Sequence, residues 1–593
     1  MIAPMTKYSF ILLKGDQEGL LEKLQEIGLV DITRSVKPID DKSAAILAEA
    51  ERKHALLQSL DKVEIPEGLA HSAVSGDPEE VAKAALDHLA ELEEALQTAE
   101  KEAAASEPWG EYDRDKLRAV EDAGIPVHFH ITPAKAFKAE WADQYALSVV
   151  NELDGKVYYF VVGEDPLPDA LKRGPKASVT DIQTRIATLQ ANIDQEKAVL
   201  AGVKDVRGKI ENAARRNLSD LDLYLASQAA VPAAENTLVT LVGYAPAEDE
   251  EAVTKALDAT GEYYFKDAAV VEDNPPISFR NNKFVKMFEV LTDMYGRPAY
   301  NGFDPTPFIA VFFLLFFAFC MGDAGYGLVL IGLGFLLKKV DSFKSFFPLV
   351  VTLGAATTVI GFLFHTFFSV DISQWSIFQG FPFLPSKIAG YDGTMVLALV
   401  VGVLHISLAM IVKTVEETKT KGFKESLGTW GWTLLIVGGV AVAAFALTGV
   451  LDKAATKWVI IVLGVLSCLG IFVLNNIHRN PLINIGSGLW DTYNMASGLL
   501  GDVLSYLRLY ALGLAGSMLG MAFNSIGAMI LGDGSNWAMW IPFLLIVIVG
   551  HTLNIAMCVL GAFVHPLRLN FLEFFKNSGY EAAGRNYNPL KKQ

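Results

Sequence analysis

The chain of 593 residues has only three cysteines, Cys320, Cys468 and Cys558, all in apolar stretches and far apart. That spacing points to neither a disulfide framework nor a cysteine metal site. A GxxxxGK[ST] phosphate loop and an HExxH pair are both missing, so no nucleotide site, metal or cofactor is called for. Basic residues are in deficit: 50 Lys and Arg face 67 Asp and Glu, and the net charge of -17 is concentrated in the first half. A nucleic-acid partner would need a basic face and is not expected. The opening residues, MIAPMTKYSF, lack a basic region followed by an apolar one. The first half is therefore expected to stay in the cytoplasm.

Apolar content is plentiful but uneven. Hydrophobic residues make up 51% of the chain. Up to Lys286 the sequence is charged and soluble in character, whereas from Pro305 to Phe575 apolar stretches of membrane-spanning length dominate. The expected division is a cytoplasmic arm (1–285), a linker (286–304) and a membrane domain (305–593). In the arm, Tyr8–Leu13, Val127–Ile131, Leu147–Val150, Val157–Val162 and Leu238–Tyr244 read as strands. Ala85, Leu89, Leu92, Leu96 and Ala99 follow a heptad, as do Ile182, Ile186, Leu189, Ile193, Leu200, Val203 and Ile210. The fold expected is mixed, with α+β lobes joined by a long antiparallel coiled-coil hairpin. Two amphipathic helices on an ordinary α+β core would be the plainer alternative. His128 and His130 alternate on a strand; an exposed strand face is favoured there over metal binding. His54 and His88 read as solvated helix residues.

The membrane half divides into eight spans, near 305–321, 324–338, 347–368, 394–412, 431–450, 457–474, 489–531 and 537–575. The first two meet at Gly322-Asp323. Reading them as one helix would put the chain ends on opposite sides, and the basic residues decide against that. With both termini cytoplasmic, Lys338, Lys339, Lys344, Lys413, Lys419, Lys421, Lys424, Arg479, Lys576, Arg585, Lys591 and Lys592 all fall inside. Only Lys387, Lys453 and Lys457 fall outside. The last two spans are too long. As one helix, Leu499–Leu531 would extend about 50 Å against a hydrocarbon core of about 30 Å, so it must tilt or bend. Pro566 is a candidate kink in the eighth span. The small residues Gly513, Ala515, Gly516, Ser517, Gly520 and Ala522 allow close helix packing or a smooth face for a sliding partner.

Between Leu499 and Leu531 the only charged side chains are Asp502 and Arg508. A guanidinium keeps its proton and is costly in a bilayer unless it faces protein or water and finds an anion. Asp502 lies six residues away and points elsewhere on a helix. Arg568, near the end of the eighth span, can simply snorkel to the interface. Glu573 is near Arg568 but not ideally placed to pair. An acid supplied by another subunit would resolve Arg508. Asn494, Asp491, Ser505, Asn524, His551, Asn554, His565, Asp323, His365 and His405 are each ordinary packing polars taken singly. Together they offer two partial aqueous paths in which His or Asp relays protons.

The segments FDPTPFIAVFFLLFFAFCMGDAGYG, LSYLRLYALGLA and HPLRLNFLEFF resemble subunit a of the V-type and A-type rotary ATPases, called subunit I in prokaryotes. LVGYAPAEDEEAVTKAL resembles the same family's G-[WY]-x-P turn before a helix. The resemblance covers nearly the whole chain. It implies a stator subunit with no catalytic site of its own, in a multi-pass position in a prokaryotic plasma membrane. Its partners would be ring subunits carrying the missing carboxylate and peripheral-stalk subunits on the arm, with room for a central-stalk or ring-cap subunit, besides lipid. Arg508 would separate two ion half-channels, proton or sodium, and Arg568 would support it. Asp502, His565, Asp323, Asn494, His405 and Glu573 complete the candidate set, with Asp502 as the acid of the outer path. Cys558 and Gly516 stand where some members carry a glutamate and a histidine. A secondary transporter would instead need repeats or broken helices around a mid-membrane site. A non-transporting scaffold leaves Arg508 unexplained.

Overall fold

The computed structural model describes all residues except 36, 67, 139, 165–177, 236, 374–383, 386, 389, 448, 450–451, 475–480, 533–535 and 593. Arg479, assigned above to a cytoplasmic loop, lies outside the described residues. The chain forms two compact units, Ile11–Leu241 with Leu590–Gln593, and Met1–Phe10 with Val242–Pro589. Residues 242–304 fall in the second of these units.

The first unit is built on four long helices: α1 (Asp41–Lys62), α2 (Pro78–Ser106), α3 (Val179–Asp205) and α4 (Arg207–Gln228). Their starts are written in the sequence. Asp40 accepts from the Ser43 amide at 2.8 Å, and Ser43 Oγ accepts from the Asp40 amide at 3.1 Å, a reciprocal cap on α1. Asp77 caps α2, with Pro78 at its first position. The heptad residues Ala85, Leu89 and Leu92 of α2 bury against Ile193, Leu200 and Val203 in one cluster. Pairs Arg185–Glu102 and His88–Glu196 show that α2 and α3 run antiparallel.

A small antiparallel sheet in this unit holds β1 (Val127–Pro133), β2 (Leu147–Leu153) and β3 (Lys156–Val162), in the order β1-β3-β2. The exposed face expected for His128 and His130 is not found at His130. It is fully buried opposite Tyr159, with the rings stacked at 5.4 Å. Trp109 covers the other face, edge-on to Phe129 at 5.3 Å, so both sides of β1 are packed.

In the second unit, residues Thr6–Phe10 pair antiparallel with Tyr264–Phe265 and onward to Ala268. The membrane helices follow: α5 (Thr306–Met321), α6 (Ala324–Leu337), α7 (Phe347–Leu363), α8 (Gly393–Lys421), α9 (Leu427–Leu447), α10 (Lys453–Cys468), α11 (Pro481–Ser505), α12 (Leu507–Leu531) and α13 (Trp540–Arg568). π-helical turns extend α10 through Val473 and α13 through Phe574. Among the described residues six stretches are long and apolar enough to span a membrane, with α11–α12 counted as one and α13 with its extension as another. The sequence reading counted eight. The difference is α5 and α6, a pair bent by 120° at Gly322-Asp323. Their 16 and 14 residues reach only about 24 and 21 Å at 1.5 Å per residue. The protein is a multi-pass membrane protein by these helices.

The long seventh span is broken at one residue: α11 ends at Ser505 and α12 begins at Leu507, with Tyr506 as the joint. The glycines of α12 do not form an outward sliding face. A Cβ on Gly516 would sit 2.6 Å from Cys558 Sγ, and one on Gly520 would overlap Ser369, so both face their own chain. Ala515 and Ala522 are the outward residues.

Candidate functional site

The two ends of the helical body are distinct. The start of α5, where Thr306 meets Thr292 at 3.0 Å, shares an end with the C-terminal tail, where the Gly584 amide donates to the Arg297 carbonyl. This is the tail end. α5 leads away from it to Gly322-Asp323, the turn end.

Arg508 is the second residue of α12. Its Nη1 is buried and has no hydrogen-bond partner among the described residues. The joint lies two residues before Arg508. Tyr506 is fully buried, and its hydroxyl lies 2.9 Å from His405 Nδ1 on α8. The ring fits because residue 402 is glycine: a Cβ there would overlap it. His405 itself is sandwiched between Phe312 at 4.1 Å and Phe574 at 4.7 Å, and its Nε2 is buried without a partner. Glu573, beside Phe574 in the π turn, is 3% exposed, and its Oε2 also lacks a partner. Arg568 ends α13 and is exposed, as snorkelling requires. His565, one turn earlier and half-buried, lies within electrostatic range of both Arg508 and Arg568.

The structure therefore groups Arg508, His565 and Arg568, and places His405 and Glu573 around the Tyr506 joint. It separates three other candidates. Asn494 is exposed on α11. Asp502 accepts from Lys576 at 3.2 Å and from Asn577 at 2.8 Å. Lys576 lies three residues before Gly579, which is beside Lys413 at the tail end. Asp502 therefore lies at the tail end of the helical body. Asp323 sits at the turn end, 4% exposed. Its Oδ1 accepts from the amides of Gly325, Tyr326 and Phe368 at 2.8, 3.1 and 2.9 Å, and its Oδ2 from Ser369 at 2.6 Å. Four backbone donors make it the cap of α6 and the anchor of residues 368–369.

A further polar group joins α6, α12 and α13. His551 Nδ1 lies 2.7 Å from Tyr326 Oη and its Nε2 lies 2.9 Å from Asn524 Oδ1. Asn554 donates to Tyr326 Oη and to the Gly516 carbonyl, both at 2.8 Å, and accepts from Cys558 at 3.4 Å. Asn524 donates to the Phe368 carbonyl at 2.9 Å. Sequence reading named His551, Asn524 and Asn554 singly and missed Tyr326, whose partners lie more than 220 residues away. The tyrosine of GDAGYG was the available signal. On another side of α12, a cavity of about 200 Å³ is lined by Phe319, His365, Asp392, Tyr510, Gly513 and Ser517 among others.

The model of the V-type ATPase 116kDa subunit family matches residues 173–377, which include GDAGYG but stop short of Arg508. The A-type ATP synthase subunit I of Methanocaldococcus jannaschii is 30% identical over 385 residues, 59% of this chain and 54% of its own. That of Pyrococcus abyssi is 32% identical over 370 residues, 59% of this chain and 53% of its own. The V-type ATP synthase subunit I 1 of Treponema pallidum is 25% identical over 645 residues, covering both chains in full. The chain spans about half the length of the archaeal relatives it matches. It resembles subunit I of the V-type and A-type ATP synthases.

Proposed function

We propose that this chain is the stator subunit of the membrane sector of a V/A-type rotary ATPase, and that it forms two ion half-channels against a rotating ring. The observation that carries this reading is Arg508: a guanidinium at a helix joint, with a buried Nη1 that no described residue satisfies. An unpaired buried charge is too costly to keep without a partner. A carboxylate on each passing ring subunit supplies that partner. An ion entering by one half-channel neutralises the carboxylate, which then turns through lipid. The ion leaves by the other half-channel, and Arg508 attracts the emptied carboxylate and blocks leakage between the paths. Arg568 extends the positive field along α13, with His565 within electrostatic range of both arginines. Glu573 and His405, with unsatisfied atoms around Tyr506, fit the tail-end path. Asp502 belongs on that side too, while Asp323 holds the turn end in shape.

In this reading the chain crosses a prokaryotic plasma membrane eight times, the short limbs α5 and α6 each counting once, with both termini in the cytoplasm. Residues 1–285 act as the arm that grips peripheral stalks, 286–304 link it, and 305–593 translocate the ion. The packing of α2 on α3 supports a long antiparallel coiled-coil hairpin in that arm. The chain binds no nucleotide, and ATP chemistry lies in other subunits. In the assembled complex in vesicles, Arg508→Ala should abolish ATP-driven ion pumping while subunit composition stays normal. Coupled pumping at the unaltered rate would overturn the assignment.

A further inference from the structure

The four long helices of the first unit form two antiparallel pairs, with α1 lying along α4 and α2 along α3. α3 and α4 meet at Val206, where the ladder of helical bonds is broken. The Val206 amide donates to the Val203 carbonyl at 3.1 Å and the Lys209 amide to the Val206 carbonyl at 2.9 Å. Both bonds span three residues where an α-helix spans four. No proline forces the break, since none lies between Val179 and Gln228. Gly202 and Gly208 flank it, and each weakens the helical preference of its own turn relative to alanine.

The two glycines have different surroundings. A Cβ on Gly208 would meet no described atom within 4 Å. A Cβ on Gly202 would stand 1.9 Å from the Ser72 carbonyl oxygen and 3.5 Å from a Val74 methyl. Residues 71–74, on the connection between α1 and α2, therefore lie against the backbone of α3 just short of the joint, where only glycine leaves room. The Ser72 amide donates to the Ala198 carbonyl at 3.0 Å, and His71 Nδ1 lies 2.6 Å from an Asp205 carboxylate oxygen. Lys204, on α3, donates to the Val63 carbonyl just beyond α1 at 2.8 Å. Arg207, which opens α4, donates to both carboxylate oxygens of Asp61 at 2.8 and 3.0 Å. Beneath these bonds Leu60, Val203 and Ile210 share one apolar cluster. Apolar contact is non-directional and tolerates a small rotation, whereas hydrogen bonds fix an angle.

We propose that Val206 is a hinge within the arm, at which the α2–α3 pair bends on the α1–α4 pair, and that residues 71–74 are a strap holding it at one angle. The apolar cluster lets the joint turn, and the bonds from the strap and from Lys204 set its rest position. In the rotary reading above, such a joint gives elastic compliance to a stator loaded in steps. That use rests on the rotary reading; the hinge itself does not.

Hydrogen exchange of the full chain in lipid nanodiscs tests the strap by the sign of two substitutions. Gly208→Ala gains helical preference and meets nothing, so exchange at residues 204–210 should slow by about fivefold, the equivalent of about 1 kcal/mol. Gly202→Ala gains the same preference but displaces Ser72, so exchange there should quicken instead. A joint governed by helical preference alone would slow in both, and that result would overturn the strap. If Gly202→Ala fails to fold, Lys204→Met, which keeps the stem but loses the bond to Val63, must show the quickening. Spin labels read the hinge itself, in a chain whose native cysteines are replaced by alanine. Between Glu93→Cys on α2 and Arg216→Cys on α4 the distance distribution should broaden when the strap is released. Between Glu93→Cys and Gln183→Cys, both in the α2–α3 pair, it should stay unchanged. No broadening across the joint, or equal broadening within the pair, would overturn the hinge. Neither measurement needs the assembled complex, so failure here leaves the rotary reading to Arg508→Ala, and normal pumping in that variant leaves the hinge standing.

Discussion

Asp323 offers the most direct energetic test of the helical body, because every bond to its carboxylate is specified. Asp323→Ala would orphan four buried amides, those of Gly325, Tyr326, Phe368 and Ser369. Each unsatisfied amide costs about 1–3 kcal/mol, so even the lower figure gives about 4 kcal/mol for closing this turn. At about 1.4 kcal/mol per factor of ten, hydrogen exchange at these amides should quicken by about a thousandfold, up to the limit set by global unfolding. Asp323→Asn is gentler. Its oxygen can still serve the three amides on the Oδ1 side, but its NH2 would face the Ser369 amide. One lost charge-assisted bond of about 1.5–3 kcal/mol predicts acceleration by about ten- to a hundredfold, greatest at Ser369. Exchange of segments 322–327 and 366–371, read by mass spectrometry on the full chain in lipid nanodiscs, measures both. Rates in Asp323→Ala within about threefold of the unaltered chain would refute the anchoring role; that difference is under 1 kcal/mol.

Two further outcomes follow from the packing and the charges. Gly402→Ala puts a methyl group into the Tyr506 ring, and overpacking of this kind costs about 1–3 kcal/mol; a lower melting temperature together with reduced pumping is expected, and an unchanged melting temperature would mean that the slot is not tight. Outside the membrane, the hydrogen bond to Lys7 lowers Asp273 below the usual carboxylate range, and the bond to Asp273 raises Lys7 above its own. The Asp273 contribution is complete above the unfolded carboxylate value and fades as pH falls through its lowered folded value; the Lys7 contribution is complete below the unfolded lysine value and fades as pH rises through its raised one. Asp273→Asn should flatten the acid loss of thermal stability, and an acid limb identical to that of the unaltered chain would count against the pair.

How much of this was legible depended on distance along the chain. The five strands read by alternation all recur within one to three residues at their ends, since period two is a local signal. The heptads of α2 and α3 were legible for the same reason. The break at Gly322-Asp323 was legible too, because glycine tolerates the left-handed φ of 53° and aspartate caps the next helix. The exact residue of the break, Tyr506, was not. Its neighbours, SYLRLYAL, favour helix, and the groups that hold its ring, His405 and the room at Gly402, lie about a hundred residues away. The partners of Asp502, Lys576 and Asn577, were not legible because they lie 74 and 75 residues on. A heptad can also be read without revealing what covers a strand: His130 took its surroundings from Tyr159 across the sheet and not from its polar composition.

The buried polar groups of the helical body divide by whether the chain itself satisfies them, and that division carries more than their charge or depth. Asp323 is surrounded by four amides and Asp502 by an ammonium and an amide, so each is a joint whose loss would be felt as looseness. Arg508, Glu573 and His405 each keep a buried atom without a partner among the described residues. A chain that had only to fold would gain by replacing such groups with apolar ones of similar size, because an unpaired buried charge costs more than the contact it displaces. Retaining one is reasonable where a partner arrives from elsewhere. That logic makes Arg508 the centre of the site and Asp323 its support.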